Sequence, residues 1–291
     1  MSFAGAGRQG CSWSWDSVYP APAKLNLFLH VVGRRADGYH LLQTLFRLLD
    51  YGDTLRFVPR DDGRVILNNP LPGVPPESDL TVRAACLLQA ATGCRMGVEI
   101  SVDKRLPMGG GLGGGSSDAA TVLLALNYLW GLGVSRQRLQ EIGLGLGADV
   151  PVFIFGRNAF AEGVGEALHP VDLPSAWYVV LEPPVQVPTA AIFSAPELKR
   201  DTAAVSVSAW QPGFGRNDLD PVATARFPAV AEYLGWLAEF GRARMSGSGA
   251  CVFAEFERRE AAEAVLHQLP HGMRGWVAAG LGEHPLLGLA S

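Results

Sequence analysis

Between Pro107 and Asp118 the chain reads Pro-Met-Gly-Gly-Gly-Leu-Gly-Gly-Gly-Ser-Ser-Asp, which puts six of its 35 glycines into one short run. Glycine loses more conformational freedom on folding than any other residue. Such a run therefore persists where the backbone needs positive φ or where something bulky must approach it closely. The run follows Val98-Glu-Ile-Ser-Val102, whose apolar alternation predicts a half-buried strand, and precedes Ala119, Val122, Leu123, Leu126 and Trp130 at helical spacing. The order is strand, glycine loop, helix. Ser116 and Ser117 are placed to cap the helix, and a helix start offers unpaired N–H groups and a positive dipole end, so the expected occupant of the loop is a phosphate.

Two other readings of the run stay open. It could be a flexible connector, although a connector is seldom wedged between a buried strand and an apolar helix. Gly109, Gly111 and Gly114 also satisfy G-x-G-x-x-G, the dinucleotide pattern of an oxidoreductase. That pattern needs a second strand ending in an acid about 20 residues on. Here the helix runs instead into Gly131-Leu-Gly133 and another helical segment. No Lys follows the last glycine, which removes the Walker form.

A length of 291 residues, with 48% hydrophobic and 18% charged side chains, suits two domains with sizeable cores. The net charge of −4 contains no basic run, which disfavours nucleic acid or a membrane surface as partner and points to small molecules. Cys11, Cys86, Cys94 and Cys251 form no C-x-x-C pair and have no His at metal spacing, so reduced, packing cysteines are expected. Residues 1–17 lack the basic start and apolar core of a signal peptide, and the most apolar stretch, Ala119 to Leu132, is short and broken by Asn127. A soluble, cytoplasmic protein with a flexible N-terminal extension over 1–18 is expected.

Along the chain, Ala23 to Val31 alternates with period two, with Lys24, Asn26, Phe28 and His30 on one face. Lys24 and Asn26, two residues apart, point the same way, as they would on an active-site strand or on an ordinary edge. Thr44 to Leu49 and Thr54 to Val58 read as strands of a hairpin turning at Asp50-Tyr-Gly-Asp53. Ser78 is expected to cap a helix reaching about Ala91, and Ser135 another reaching Leu146. Asp149 before Val-Pro suits either a helix cap or a chemical role. Trp177–Leu181, Cys251–Phe256 and Trp276–Ala279 read as strands, with helices around 218–225, 228–240 and 258–268. Met245-Ser-Gly-Ser-Gly249 is a second glycine turn, either an anion nest or a tight turn.

Three blocks, Pro22-Ala-Lys-Leu-Asn-Leu27, Pro107 to Ala120 and Ser246-Gly-Ser-Gly-Ala250, resemble in order and spacing those of the GHMP small-molecule kinases. Gly33-Arg-Arg-Ala-Asp-Gly-Tyr-His40 and Gly147-Ala-Asp-Val-Pro-Val-Phe153 make the resemblance strongest to the 4-diphosphocytidyl-2-C-methyl-D-erythritol kinases. It spans about residues 19 to 280. It implies a two-domain α+β GHMP-kinase-like fold, with an ATP-binding N-terminal domain over 19–155 and a split βαβ, ferredoxin-like C-terminal domain over 156–291. It also implies ATP-dependent phosphorylation of the substrate's 2-hydroxyl in the non-mevalonate isoprenoid pathway. By the same resemblance Asp149 is the catalytic base and Lys24 its partner. Pro107, Met108, Gly109, Gly110, Gly111, Leu112, Gly113, Gly114, Gly115, Ser116 and Ser117 surround the ATP phosphates, with Lys104 near the nucleotide. Asn26 lies beside the substrate, Tyr39 and Phe193 stack its cytosine, and His40 reads the base edge. Mg²⁺ is expected with ATP, its ligands unassigned, in a monomer or homodimer. Another GHMP alcohol kinase, such as a mevalonate or homoserine kinase, and a non-catalytic ligand sensor on the same fold are the alternatives.

Overall fold

The computed structural model describes residues 13–70, 73–211 and 213–291. Its first sheet is built on β1 (Tyr19–Arg34) and β2 (His40–Arg60), antiparallel along nearly their whole length. β2 also pairs with β4 (Gly97–Asp103) near its end and with β5 (Ala159–Glu162) near its start; β3 (Val65–Leu67) extends one edge and β6 (Ala167–Pro170) the other. α1 (Leu80–Thr92), α2 (Gly114–Leu129), α3 (Arg136–Leu144) and α4 (Val150–Phe155) cover this sheet, and their apolar sides close one core with Phe46, Leu48, Phe57 and Ile100.

The second sheet contains β7 (Trp177–Leu181), β8 (Arg244–Met245), β9 (Val252–Phe256) and β10 (Gly275–Ala279) in the order β10-β7-β9-β8, all antiparallel. α5 (Thr189–Phe193), α6 (Asp220–Arg226) and α7 (Pro228–Ala238) fall between β7 and β8, and α8 (Arg259–Leu266) between β9 and β10. Fourth, first, third, second is the strand order of the ferredoxin-like split βαβ fold, as the sequence leads one to expect. β7 alternates between two cores: Val179 and Leu181 face the helices, whereas Tyr178 and Val180 meet Leu25, Leu27 and Leu45 of the first sheet. The two sheets are thereby packed together.

Four local expectations are corrected. The hairpin at residues 50–53 is absent, because β2 runs straight through it. A Cβ on Gly52 would lie 2.1 Å from the Ala21 carbonyl oxygen, and the buried Asp50 and Asp53 accept from the amides of Ala279 and of Arg105 and Leu106. Turn-like composition here serves distant partners. In β1 the register shifts between Asn26 and Leu29, so Lys24, Asn26 and Leu29 face one cavity while Phe28 turns to the core between the sheets. Asp79, not Ser78, caps α1, accepting from the Thr81 amide. Ser116 and Ser117 do not cap α2; the left-handed Gly113 precedes it and both serines lie in its first turn.

Because β5 pairs with β2 and β6 with β5, the change of sheet falls between Pro170 and Trp177, later than the division at 155/156 read from the sequence. The expected N-terminal extension lies outside the described residues as far as residue 12. From Trp13 the chain is packed, with that ring stacked on Tyr19 at 5.0 Å.

Candidate active site

β1 delivers Lys24 and α4 delivers Asp149 to the same point. Lys24 is 2% exposed, and its three ammonium protons meet Asn26 Oδ1 at 2.7 Å, the Gly111 carbonyl at 3.0 Å and Asp149 Oδ2 at 3.2 Å. Asp149 sits at the N-cap position of α4, yet its side chain makes no capping bond. Its carboxylate is about a third exposed and lines a cavity of about 310 Å³ with Lys24, Asn26, Thr44 and Phe46. Asn26 is fixed in turn by donating to Thr44 Oγ1 at 2.9 Å.

The glycine loop lies on one side of this pair. Several of its carbonyls are already engaged by the protein, with Gly109 and Gly110 accepting from the Ala250 and Cys251 amides, and Leu112 from the Lys24 amide. Ser246 Oγ donates to the Gly111 carbonyl at 2.8 Å, so the second glycine turn buttresses the first. The first turn of α2 leaves the N–H groups of Gly114, Gly115 and Ser116 without intrahelical acceptors. Gly113, at φ 72°, leaves room only for hydrogen: a Cβ there would stand 2.9 Å from Phe153 Cζ and 3.2 Å from Lys24 Cε. Pro107 through Ser116 and Lys104 line a cavity of about 400 Å³, and Ser117 does not, being buried in α2.

Lys104 carries its charge between two carboxylates, donating to Asp118 Oδ2 at 2.8 Å and also to Asp53. Burial alone would lower the ammonium pKa, but Asp118 and Asp53 together hold it above its ordinary value. The Asp118 carboxyl is raised, first by burial and then by the charge of Asp53, against the pull of Lys104.

On the other side the central cavity opens into a third, of about 560 Å³, lined by Tyr39, His40 and Phe193. Tyr39 is 66% exposed. The His40 and Phe193 rings lie 5.0 Å apart at 34°. Gly109, Gly111 and Ser116 belong to the first and second cavities, and Leu42, Thr189 and Phe193 to the first and third. The three make one trench with the Lys24–Asp149 pair at its middle.

The GHMP kinases N terminal domain matches residues 79–157 and the GHMP kinases C terminal domain residues 203–275. The 4-diphosphocytidyl-2-C-methyl-D-erythritol kinase of Dechloromonas aromatica (strain RCB) is 65% identical over 92% of this chain and 98% of its own length. That of Thiobacillus denitrificans is 63% identical over 93% and 98%. The chain belongs to the 4-diphosphocytidyl-2-C-methyl-D-erythritol kinase family. A crystal structure of 4-(cytidine 5'-diphospho)-2C-methyl-D-erythritol kinase superposes with a TM-score of 0.81 at 37% identity, covering 91% of this chain and all of that one. Methanococcus jannaschii mevalonate kinase, at 13% identity and a TM-score of 0.64 over 91% of this chain and 98% of that one, shares the fold.

The structure of this family member adds residues that the sequence reading passed over. Thr44 orients Asn26, and Ser246 braces the loop. Thr189 and Ser248 share a 2.8 Å hydrogen bond on the cavity wall, and Asp53 and Asp118 enclose Lys104. Arg200 donates to His40 Nε2 at 3.0 Å. Thr44, Asp53, Thr189 and Arg200 are ordinary polar residues with partners remote in sequence, so spacing gave no signal for them. The signal available was the nearness of Ser246 and Asp118 to glycine runs. No helix among the described residues is long and apolar enough to cross a membrane.

Proposed function

We propose that this chain phosphorylates the 2-hydroxyl of 4-diphosphocytidyl-2-C-methyl-D-erythritol with ATP, in isoprenoid biosynthesis. The observation that carries the mechanism is the contact between Lys24 and Asp149 at the junction of three continuous cavities. Phosphoryl transfer asks a protein for positioning, for neutralisation of charge on the transferred group, and for an acceptor of the hydroxyl proton. The glycine loop, with its Gly109, Gly110 and Leu112 carbonyls engaged by other backbone amides, offers its own amides to the ATP phosphates. The substrate extends the opposite way, its base between Tyr39 and Phe193, so that its hydroxyl reaches Asp149. Asp149 takes the hydroxyl proton as the new O–P bond forms and the bond from the γ-phosphorus to the β,γ-bridging oxygen breaks, releasing ADP. Lys24, held by Asn26 and Gly111, keeps positive charge beside the attacking oxygen.

Magnesium accompanies the nucleotide in this reading and supplies neutralisation of phosphate charge when bound. Asp118 Oδ1, buried without a partner on the wall of the glycine cavity, fits a cation held chiefly by phosphates and water.

Asp149→Asn keeps the shape of the side chain but cannot take a proton. It is expected to lower kcat by roughly 100-fold or more while ATP affinity stays near normal. Steady-state kinetics with the cytidine substrate, beside equilibrium binding of ATP, measures both. A variant with near-normal kcat would remove Asp149 from the chemistry.

A further inference from the structure

The aromatic end of the trench contains a guanidinium whose contacts determine what its neighbour can recognise. Arg200 is half-buried and uses four of its five N–H groups. Nη1 donates to the Leu198 carbonyl at 2.9 Å, and Nη2 to the Phe193 and Ala195 carbonyls at 2.9 and 2.7 Å. Nε donates to His40 Nε2 at 3.0 Å. One planar group therefore fixes the end of α5, which carries the Phe193 ring, and the imidazole packed against that ring.

Guanidinium has donors and no acceptor, and stays protonated in proteins. The His40 nitrogen facing it must offer a lone pair, which leaves the ring proton on Nδ1. Turning the ring over would set a C–H against a guanidinium N–H and lose the bond. Burial, with Arg200 and Arg34 nearby, lowers the His40 pKa and disfavours a second proton. Nδ1 has no hydrogen-bond partner among the described residues, and His40 lines the aromatic cavity. What the pocket can present from this ring is thus a neutral N–H donor.

We propose that Arg200 is a positioning residue for base recognition: by holding Nε2 as an acceptor it locks His40 as the Nδ1–H tautomer, which selects a pyrimidine whose ring nitrogen accepts over one whose ring nitrogen donates. Cytosine N3 carries a lone pair, whereas uracil N3 carries a hydrogen. The fixed Nδ1–H pairs with the first and opposes the second. Without Arg200 the imidazole is free to move its proton to Nε2, and Nδ1 then accepts from uracil. The specificity part of the inference rests on the proposed activity, while the tautomer does not.

The experiment has two arms, on wild type, Arg200→Met and Arg200→Lys. Nitrogen-15 spectra of histidine-labelled protein, with His40 assigned through His40→Gln, read the tautomer in the unliganded enzyme. Wild type should show Nδ1 protonated and Nε2 unprotonated, and Arg200→Met a shift of the proton toward Nε2. Kinetics with the cytidine-bearing alcohol and its uridine counterpart read the consequence. Leaving a recognition group wrongly disposed is expected to lower kcat/KM for the cytidine substrate by roughly 5- to 100-fold. The uridine compound should change much less and KM for ATP should hold. Arg200→Lys, which restores a cationic donor without the carbonyl fork, should recover part of the preference. Wild type with its proton on Nε2, or Arg200→Met with an undiminished preference for cytidine, overturns the inference. A wild-type enzyme that phosphorylates neither alcohol defeats the proposed activity and the specificity claim with it, whatever the tautomer.

Discussion

Tyr39 and Lys24 mark the two extremes of how a residue can serve this trench. Lys24 has every ammonium proton satisfied within the protein, so the scaffold depends on it as well as the proposed chemistry. Tyr39 is largely exposed, its backbone held by the Asp37 carboxylate, so the fold asks little of its ring. Tyr39→Ala should accordingly leave thermal stability near wild type. Base stacking on an aromatic ring is worth ~1–3 kcal/mol, and KM for the cytidine substrate should rise by roughly 5- to 150-fold with KM for ATP unchanged. Paired kinetics in the two substrates decide it, and a variant that loses stability but keeps its KM would make Tyr39 a packing residue. At this scale the sequence disclosed Lys24, Asn26 and Asp149, because motif and spacing carry them. It left Asp149 between cap and base; the structure shows a 3.2 Å approach to Lys24 and no capping bond, which supports the proposed role as base. Arg200 was illegible, since its four acceptors lie at the end of α5, in the loop after it and at the start of β2, which no local pattern connects.

At the scale of elements the instructive error is β2. Asp50-Tyr-Gly-Asp53 has the composition of a turn, yet each residue answers to something outside the strand. Asp53 receives Lys104 and the amides of Arg105 and Leu106 just before the glycine loop. Tyr51 stacks on Trp276 of the second sheet at 4.8 Å, and Gly52 makes room for β1. Local propensity is a weak prior against such tertiary demands. Gly52→Ala would drive a methyl into the backbone of Ala21 and Pro22, two residues before Lys24. A loss on the order of 3 kcal/mol or more is expected, together with reduced kcat as β1 shifts. A melting temperature within a degree or two of wild type would show that the two strands yield without strain. Helices were read more faithfully than strands: α2, α3, α7 and α8 carry apolar periodicity of their own, whereas β1 owes its change of face to a bulge that composition does not announce.

The whole molecule is closed by a segment that leaves the second sheet and returns to the first. After β10 the chain pairs Glu283 with Arg157, and sets Leu286 and Leu289 into the first core. Arg136 at the start of α3 donates to the carbonyls of Ile154, Leu287 and Ala290, joining this segment to the end of the helix that begins at Asp149. His284 lies fully buried in that joint. Its Nδ1 accepts from the Leu286 amide at 3.0 Å, and burial, then Arg136, pushes its pKa down to about 3. The consequence for stability has a definite sign. Between about 3 and the ordinary 6.5 the unfolded chain binds a proton at this site that the folded chain refuses, so stability falls as the pH drops through that window. Asp220, pushed up to about 7 first by burial, works the other way, gaining stability as the pH falls below that value. A comparison with His284→Asn removes such shared contributions, because the amide can keep the bond to Leu286 but does not titrate. Relative to this variant, wild type should lose roughly 2 kcal/mol of unfolding free energy between about pH 7 and about pH 5, approaching 1.4 kcal/mol per pH unit at the acid end. Denaturant unfolding of both proteins across that range measures the difference directly. A gap that stays constant with pH would mean that the joint opens enough to hydrate the imidazole, and that the returning segment is held by Arg136 and the leucines without help from a buried neutral histidine.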